Sequence, residues 1–150
     1  MPEPMRLSTG PLSSAIFRVA RAHKALAAKL LRSTGLRPGQ ELVLMTLWEH
    51  GPQRMTDLVQ TLDTDAPSMT RSIGRLERAG LVRRGPSPVD RRVSVVEATE
   101  ASVRLRADVE AAWAELEAVT AGSLGKDERR QLLALLTGLE TPLREAGDRL

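Results

Sequence analysis

The 150-residue chain has no cysteine and no tyrosine, one phenylalanine, two tryptophans and two histidines. Without cysteine there are no disulfides, no thiol nucleophiles and no cysteine-based metal sites. His23 and His50 fall on separate predicted elements, and neither has a nucleophile near it in sequence. No His-x-x-x-His pair, glycine-rich phosphate loop or nucleophile elbow is present, so we expect neither an enzyme nor a metal or cofactor site. Aromatic residues make up 2% of a chain that is 41% hydrophobic. Leu, Val and Ala must therefore build the core, which favours packed helices over a sandwich. No apolar run approaches the ~20 residues of a membrane span, and no signal-peptide pattern opens the chain. The expectation is a cytoplasmic protein without a membrane partner.

The charge is unevenly spread. The net value is +3, but residues 67–96 carry seven Arg against Glu77 and Asp90. Residues 1–33 carry six Lys or Arg against Glu3, while 34–66 and 97–150 are net acidic. Such asymmetry points to one basic face that meets a polyanion.

The most informative stretch is 65–97, DAPSMTRSIGRLERAGLVRRGPSPVDRRVSVVE. Asp65 is placed to cap a helix, and Pro67 fits a first turn, where no intrahelical N–H is needed. Met69, Ile73 and Leu76 share one face, so Arg71, Arg75 and Arg78 fall on the other. Ala79-Gly80 ends the helix, with Gly80 free to take a left-handed conformation. Residues 81–84 and 92–96 read as two strands. Gly85-Pro86-Ser87-Pro88 between them is expected as an exposed loop. An outward arginine helix followed by a hairpin with a basic tip suits double-stranded DNA, with the helix in the major groove and the tip at a neighbouring one.

MTRSIGRLERAGLVRR, the short Pro-containing hairpin and Asp90-Arg91-Arg92 resemble the MarR family of winged helix-turn-helix regulators. The resemblance spans residues ~12–145 and implies a mainly α (α+β winged helix) fold. It also implies a homodimer whose terminal helices interlock and a pseudo-palindromic DNA operator. By that resemblance Arg92 enters a minor groove, Asp90 holds it by a salt bridge and Arg91 meets phosphate. Some members of the family sense oxidants through cysteine, which this chain lacks. The sequence departs from the family where Leu-Thr-x-x-Gly is expected, reading Ala98-Thr99-Glu100-Ala101-Ser102.

The remaining segments organise around this unit. Residues 1–10 read as a flexible arm. Residues 11–35 and 122–150 are expected as dimerisation helices, 36–98 as the winged helix-turn-helix region and 99–121 as a long linking helix. Leu12, Ile16, Val19, His23, Leu26 and Leu30 step by four and three, a seam that needs a partner. Leu105, Val109, Ala112, Leu116 and Val119 do the same, as do Leu132, Leu135, Leu136, Leu139 and Leu143. A helix is expected over 11–33 and another from Pro38 to His50. Thr56 and Thr99 are expected as caps, and Gly125-x-x-Glu128 as a weak capping box. Pro142 is expected to kink or interrupt the last helix. Residues 53–55 are too short to assign alone, and the resemblance implies a small strand there.

The DNA-contacting residues expected are Ser68, Thr70, Arg71, Arg75, Arg78, Arg84, Asp90, Arg91 and Arg92. Arg71 and Arg75 suit guanine edges or phosphates, while Ser68 and Thr70 suit a phosphate at a helix N-terminus. Arg83 and Arg84 point to opposite strand faces, so one of them faces DNA. The resemblance also implies an effector pocket that often takes a small aromatic anion. Phe17, His23, Met45 and Trp48 are its candidates by position, each equally explicable as core. The expected function is a sequence-specific repressor released by a small molecule. The alternatives are a ligand-independent winged-helix factor and a protein–protein adaptor.

Overall fold

The computed structural model describes residues 7–150; residues 1–6 of the expected arm lie outside them. Two compact units are present, Met1–Leu116 and Glu117–Leu150. The first helix, α1, spans Pro11–Leu30 and ends three residues earlier than the periodicity predicts, because a 3-10 turn at Arg32–Thr34 replaces its last turn. Gly35 follows with φ 75°.

Helix α2 spans Gln40–His50, so Pro38 is not in its first turn. Pro38-Gly39 instead forms a tight turn closed by Gln40 N–H donating to Arg37 O at 3.0 Å. Gly39 has φ 94°, the left-handed value that a type II turn demands after proline. Strand β1 is Gln53–Arg54, and α3 follows at Met55–Thr61. Thr56 lies inside α3 and does not cap it; Arg54 holds the cap position with no side-chain cap bond. Helix α4 spans Ala66–Arg78, β2 Val82–Pro86 and β3 Ser94–Ala98.

The three strands form an antiparallel sheet in the order β1-β3-β2. The expected loop is shorter than its composition predicts, since Gly85 pairs with Val95 and Pro86 with Ser94. That register is possible because β2 is an edge strand, where a missing N–H need not break a ladder. Arg92 and Val93 correspondingly leave the strand.

One core holds the unit together. Val43, Leu44 and Leu47 of α2, Leu58 of α3, Met69, Ile73 and Leu76 of α4, Val82 and Val96 pack as a cluster, each no more than 3% exposed. A second cluster joins Leu31 to Val109 and Ala112 of α5, the helix Glu100–Ala121. Thr99 precedes α5, but its hydroxyl donates to Gly80 O at 2.6 Å rather than closing the helix end.

In the second unit, α6 spans Lys126–Asp148 without interruption, although Pro142 lies inside it. The Gly138 carbonyl, four residues back, is thereby denied its N–H donor. Gly125 N–H donates to the Glu128 carboxylate at 3.0 Å, which is half of a capping box, as glycine has no side chain to return the bond. Among the described residues no helix is long and apolar enough to cross a membrane.

Candidate nucleic-acid interface

Helix α4 is anchored at both ends by its own sequence. The Asp65 carboxylate accepts from Ser68 N–H at 2.8 Å and from the Ser68 hydroxyl at 2.9 Å. These bonds, the backbone one first, hold the Asp65 pKa below its ordinary value. At the other end Gly80, φ 77°, donates to Glu77 O and Leu81 N–H donates to Leu76 O at 2.9 Å. This paired closure satisfies carbonyls that would otherwise be orphaned.

With Met69, Ile73 and Leu76 buried, the helix turns Thr70, Arg71, Arg75 and Arg78 to the exposed side. Ser68 is half-buried and engaged, because it also accepts from the Arg71 guanidinium at 3.2 Å. Its side chain is thus part of the cap network that fixes the start of α4.

The hairpin places the other residues differently. Arg84 pairs with Glu77 of α4 at 3.7 Å, and Arg83 pairs across the strands with Glu97. Both strand arginines therefore have an acid beside them, which the sequence reading missed. Glu97 could have been found from the strand register, whereas Glu77 is brought near only by the helix–strand packing. At the tip, Asp90 accepts two bonds from the Arg92 guanidinium and one from Arg92 N–H, all at 3.1 Å. The side-chain bond from Arg92, followed by the backbone bond, holds the Asp90 carboxyl below the usual range. Arg92 is exposed within this pair, and Arg91 stands exposed beside it. Arginines on α4 and arginines on the tip thus offer a polyanion two separated rows of donors.

Behind α4 lies a cavity of about 580 Å³. Lys24 and Ala27 of α1, Arg37, Glu41 of α2, and Ser68, Arg71 and Arg75 of α4 are among the residues that line it, as are His23 and Trp113. The two rings meet edge-on, with centroids 6.5 Å apart. Burial pushes the Glu41 carboxyl up, opposed by hydrogen bonds from its own and the Gly39 N–H. Of the four residues expected at an effector pocket, His23 lines this cavity. Phe17 is exposed under Arg21, at 5.6 Å, and Met45 and Trp48 pack against the second core cluster. Those three do not line it: Phe17 faces solvent, and Met45 and Trp48 turn toward the second core cluster.

Residues 36–94 match the model of the MarR family. The chain is similar in structure to a probable transcriptional regulator from Pseudomonas aeruginosa, at 27% identity over 85% of this chain and 96% of that one, with TM-score 0.73. It is also similar to a cysteine-to-serine mutant of MarR from E. coli complexed with operator DNA, at 26% identity, 86% and 93% coverage, and TM-score 0.74. The fold alone is shared with CouR from Rhodococcus jostii RHA1 bound to p-coumaroyl-CoA, at 24% identity, 90% and 95% coverage, and TM-score 0.81. The chain thus shares the winged-helix fold of these transcriptional regulators over most of its length.

One feature just beyond the matched region escaped the sequence reading. Ser102, standing where the family pattern has glycine, is fully buried. Its hydroxyl accepts from the Trp48 indole N–H at 3.0 Å and donates to Thr99 O at 2.7 Å. The wing junction is therefore tied by hydrogen bonds to both α2 and the end of α4. The spacing 102, 105, 109, 112, 116 carried the signal, since Ser102 continues the buried stripe of α5 by one step.

Proposed function

We propose that the protein is a homodimeric repressor that binds a pseudo-palindromic operator in double-stranded DNA and is released by a small aromatic anion. In this reading α4 enters the major groove and the Asp90–Arg92 tip reaches a minor groove. Arg71 and Arg75 are the base or phosphate readers, with Thr70, Arg78 and Arg91 on the backbone. The observation that carries it is the orientation of α4: with Met69, Ile73 and Leu76 buried, Arg71, Arg75 and Arg78 are exposed. Arg84, paired with Glu77, contributes less than an unpaired arginine, because part of its charge is already answered.

The effector reading is supported by the cavity, whose volume lies in the range typical of small-molecule sites. Four cations, Lys24, Arg37, Arg71 and Arg75, line it against Glu41 and Asp63, beside the rings of His23 and Trp113. That combination suits a flat anion. The dimer is supported by the apolar residues that α1 and α6 leave exposed in the single chain.

The test is binding to duplexes selected by the protein from a random-sequence library, followed by the substitutions Arg71→Ala and Arg75→Ala. At least one should cost about 1–3 kcal/mol and relax preference at one position of each half-site. Uniform weakening across all sequences by both variants would reduce the role of α4 to phosphate contact. A library from which nothing is selected would reject the reading.

A further inference from the structure

We propose that Arg71 and Arg75 serve two mutually exclusive occupants, DNA on the outer side of α4 and a small anion in the cavity behind it. Filling the cavity and binding DNA then compete for the same two guanidinium groups. The inference rests on the reading of α4 as the DNA-contacting helix.

The geometry is set by the helix itself. At about 100° per residue, Ser68, Arg71, Ser72 and Arg75 occupy one continuous flank, between the buried stripe and the solvent pole. All four line the cavity. Arg71 and Arg75 hold the solvent edge of that flank, so a long side chain there can swing either way. Arg71 is already drawn along the helix, donating to Ser68 at 3.2 Å. Lys24 and Arg37 add positive charge on the far walls, against Glu41 and Asp63. An anion placed there gains two nearby guanidinium partners. A guanidinium fork that grips one oxyanion bidentately has its planar donors committed and cannot grip a second in the same way. Release of DNA by this route needs no second arrangement of the domains. It differs in that respect from a mechanism in which the effector changes the spacing of two half-sites, which needs a second global state.

The absence of cysteine makes this testable without knowing the effector. Ala27→Cys puts a single thiol in the cavity wall. It is converted in separate samples to a sulfonatoethyl, an ethyl and a trimethylammonioethyl mixed disulfide by the matching methanethiosulfonates. Affinity is then measured for a duplex selected from a random library by the unmodified chain. The sulfonate adduct should weaken binding by about tenfold or more, the loss of one good arginine contact. The ethyl and ammonium adducts should leave it unchanged. In an Arg71→Ala, Arg75→Ala background the residual affinity should be indifferent to the sulfonate. The same adducts on Ala25→Cys, exposed on the same helix, should have no effect, and Ala28→Cys replaces Ala27→Cys should that variant not fold.

Equal weakening by all three adducts would mean that bulk, not charge, matters, and would overturn the proposal. So would no weakening by any of them. A chain that selects no duplex at all would instead overturn the DNA reading on which the proposal rests.

Discussion

Asp90 acts at the wing tip through two kinds of bond. Its carboxylate grips the Arg92 guanidinium twice and also accepts from Arg92 N–H, which closes the turn. Simple electrostatics predicts that removing an acid near DNA tightens binding. Orientation predicts the reverse, because a free arginine must be ordered before it can enter a groove. We expect Asp90→Ala to weaken DNA binding much as Arg92→Ala does. Asp90→Asn, which keeps an acceptor for the backbone, should fall between. The sign of the pKa shift sets the pH window. A carboxyl held below its ordinary value keeps its stabilising pair at all pH above the unfolded-state value, and loses it as pH falls through the folded one. Asp90 should therefore contribute nothing to any change in affinity between pH 5 and 8. Affinities measured across a salt series decide the role; tighter binding by Asp90→Ala at every salt would reject it.

At the scale of the element, α4 is defined by its ends as much as by its faces. The Asp65 carboxylate satisfies the first-turn N–H of Ser68, and Gly80 closes the last turn in a conformation that costs other residues about 1–2 kcal/mol. A side chain added at Gly80 would meet nothing within 4 Å, so the cost is one of backbone conformation alone. Gly80→Ala should lower unfolding free energy by that amount, with an unchanged denaturant slope. No loss would show that the end of α4 relaxes freely. Leu76→Ala, by contrast, opens the core at a residue 1% exposed and should cost about 2–5 kcal/mol.

The whole molecule poses a problem that a single chain does not solve. Helix α6 has no buried residue, and Leu132, Leu135, Leu136, Leu139 and Leu143 are 38–66% exposed. Leu12, Ile16 and Val19 of α1 are likewise exposed. Apolar seams of this length are usually covered, and a second copy would cover both kinds by symmetry. Light scattering at micromolar concentration should give twice the 16.4 kDa chain mass. Leu139→Asp should split or unfold that assembly, since it would bury an unpaired charge. A folded, monodisperse wild-type monomer would refute the dimer.

Periodicity and end chemistry made most elements legible in the sequence. Met69, Ile73 and Leu76 declared the inner face of α4, and Asp65 and Gly80 declared its limits, because both signals are local and repeat within a few residues. The Asp90–Arg92 pair was legible only through family resemblance, although its partners are two residues apart. Other features were decided by the tertiary structure. Pro86 joins a strand because β2 lies at the sheet edge, and topology, not composition, makes it an edge. Arg84 meets Glu77, and Trp48 meets Ser102, because packing brings together residues that no local pattern relates. The cavity is the clearest case: Lys24, Arg37 and Arg75 come from separate segments, and no spacing rule links them. Local interactions write themselves into sequence as short periods, whereas a site assembled across elements exists only once the chain has folded.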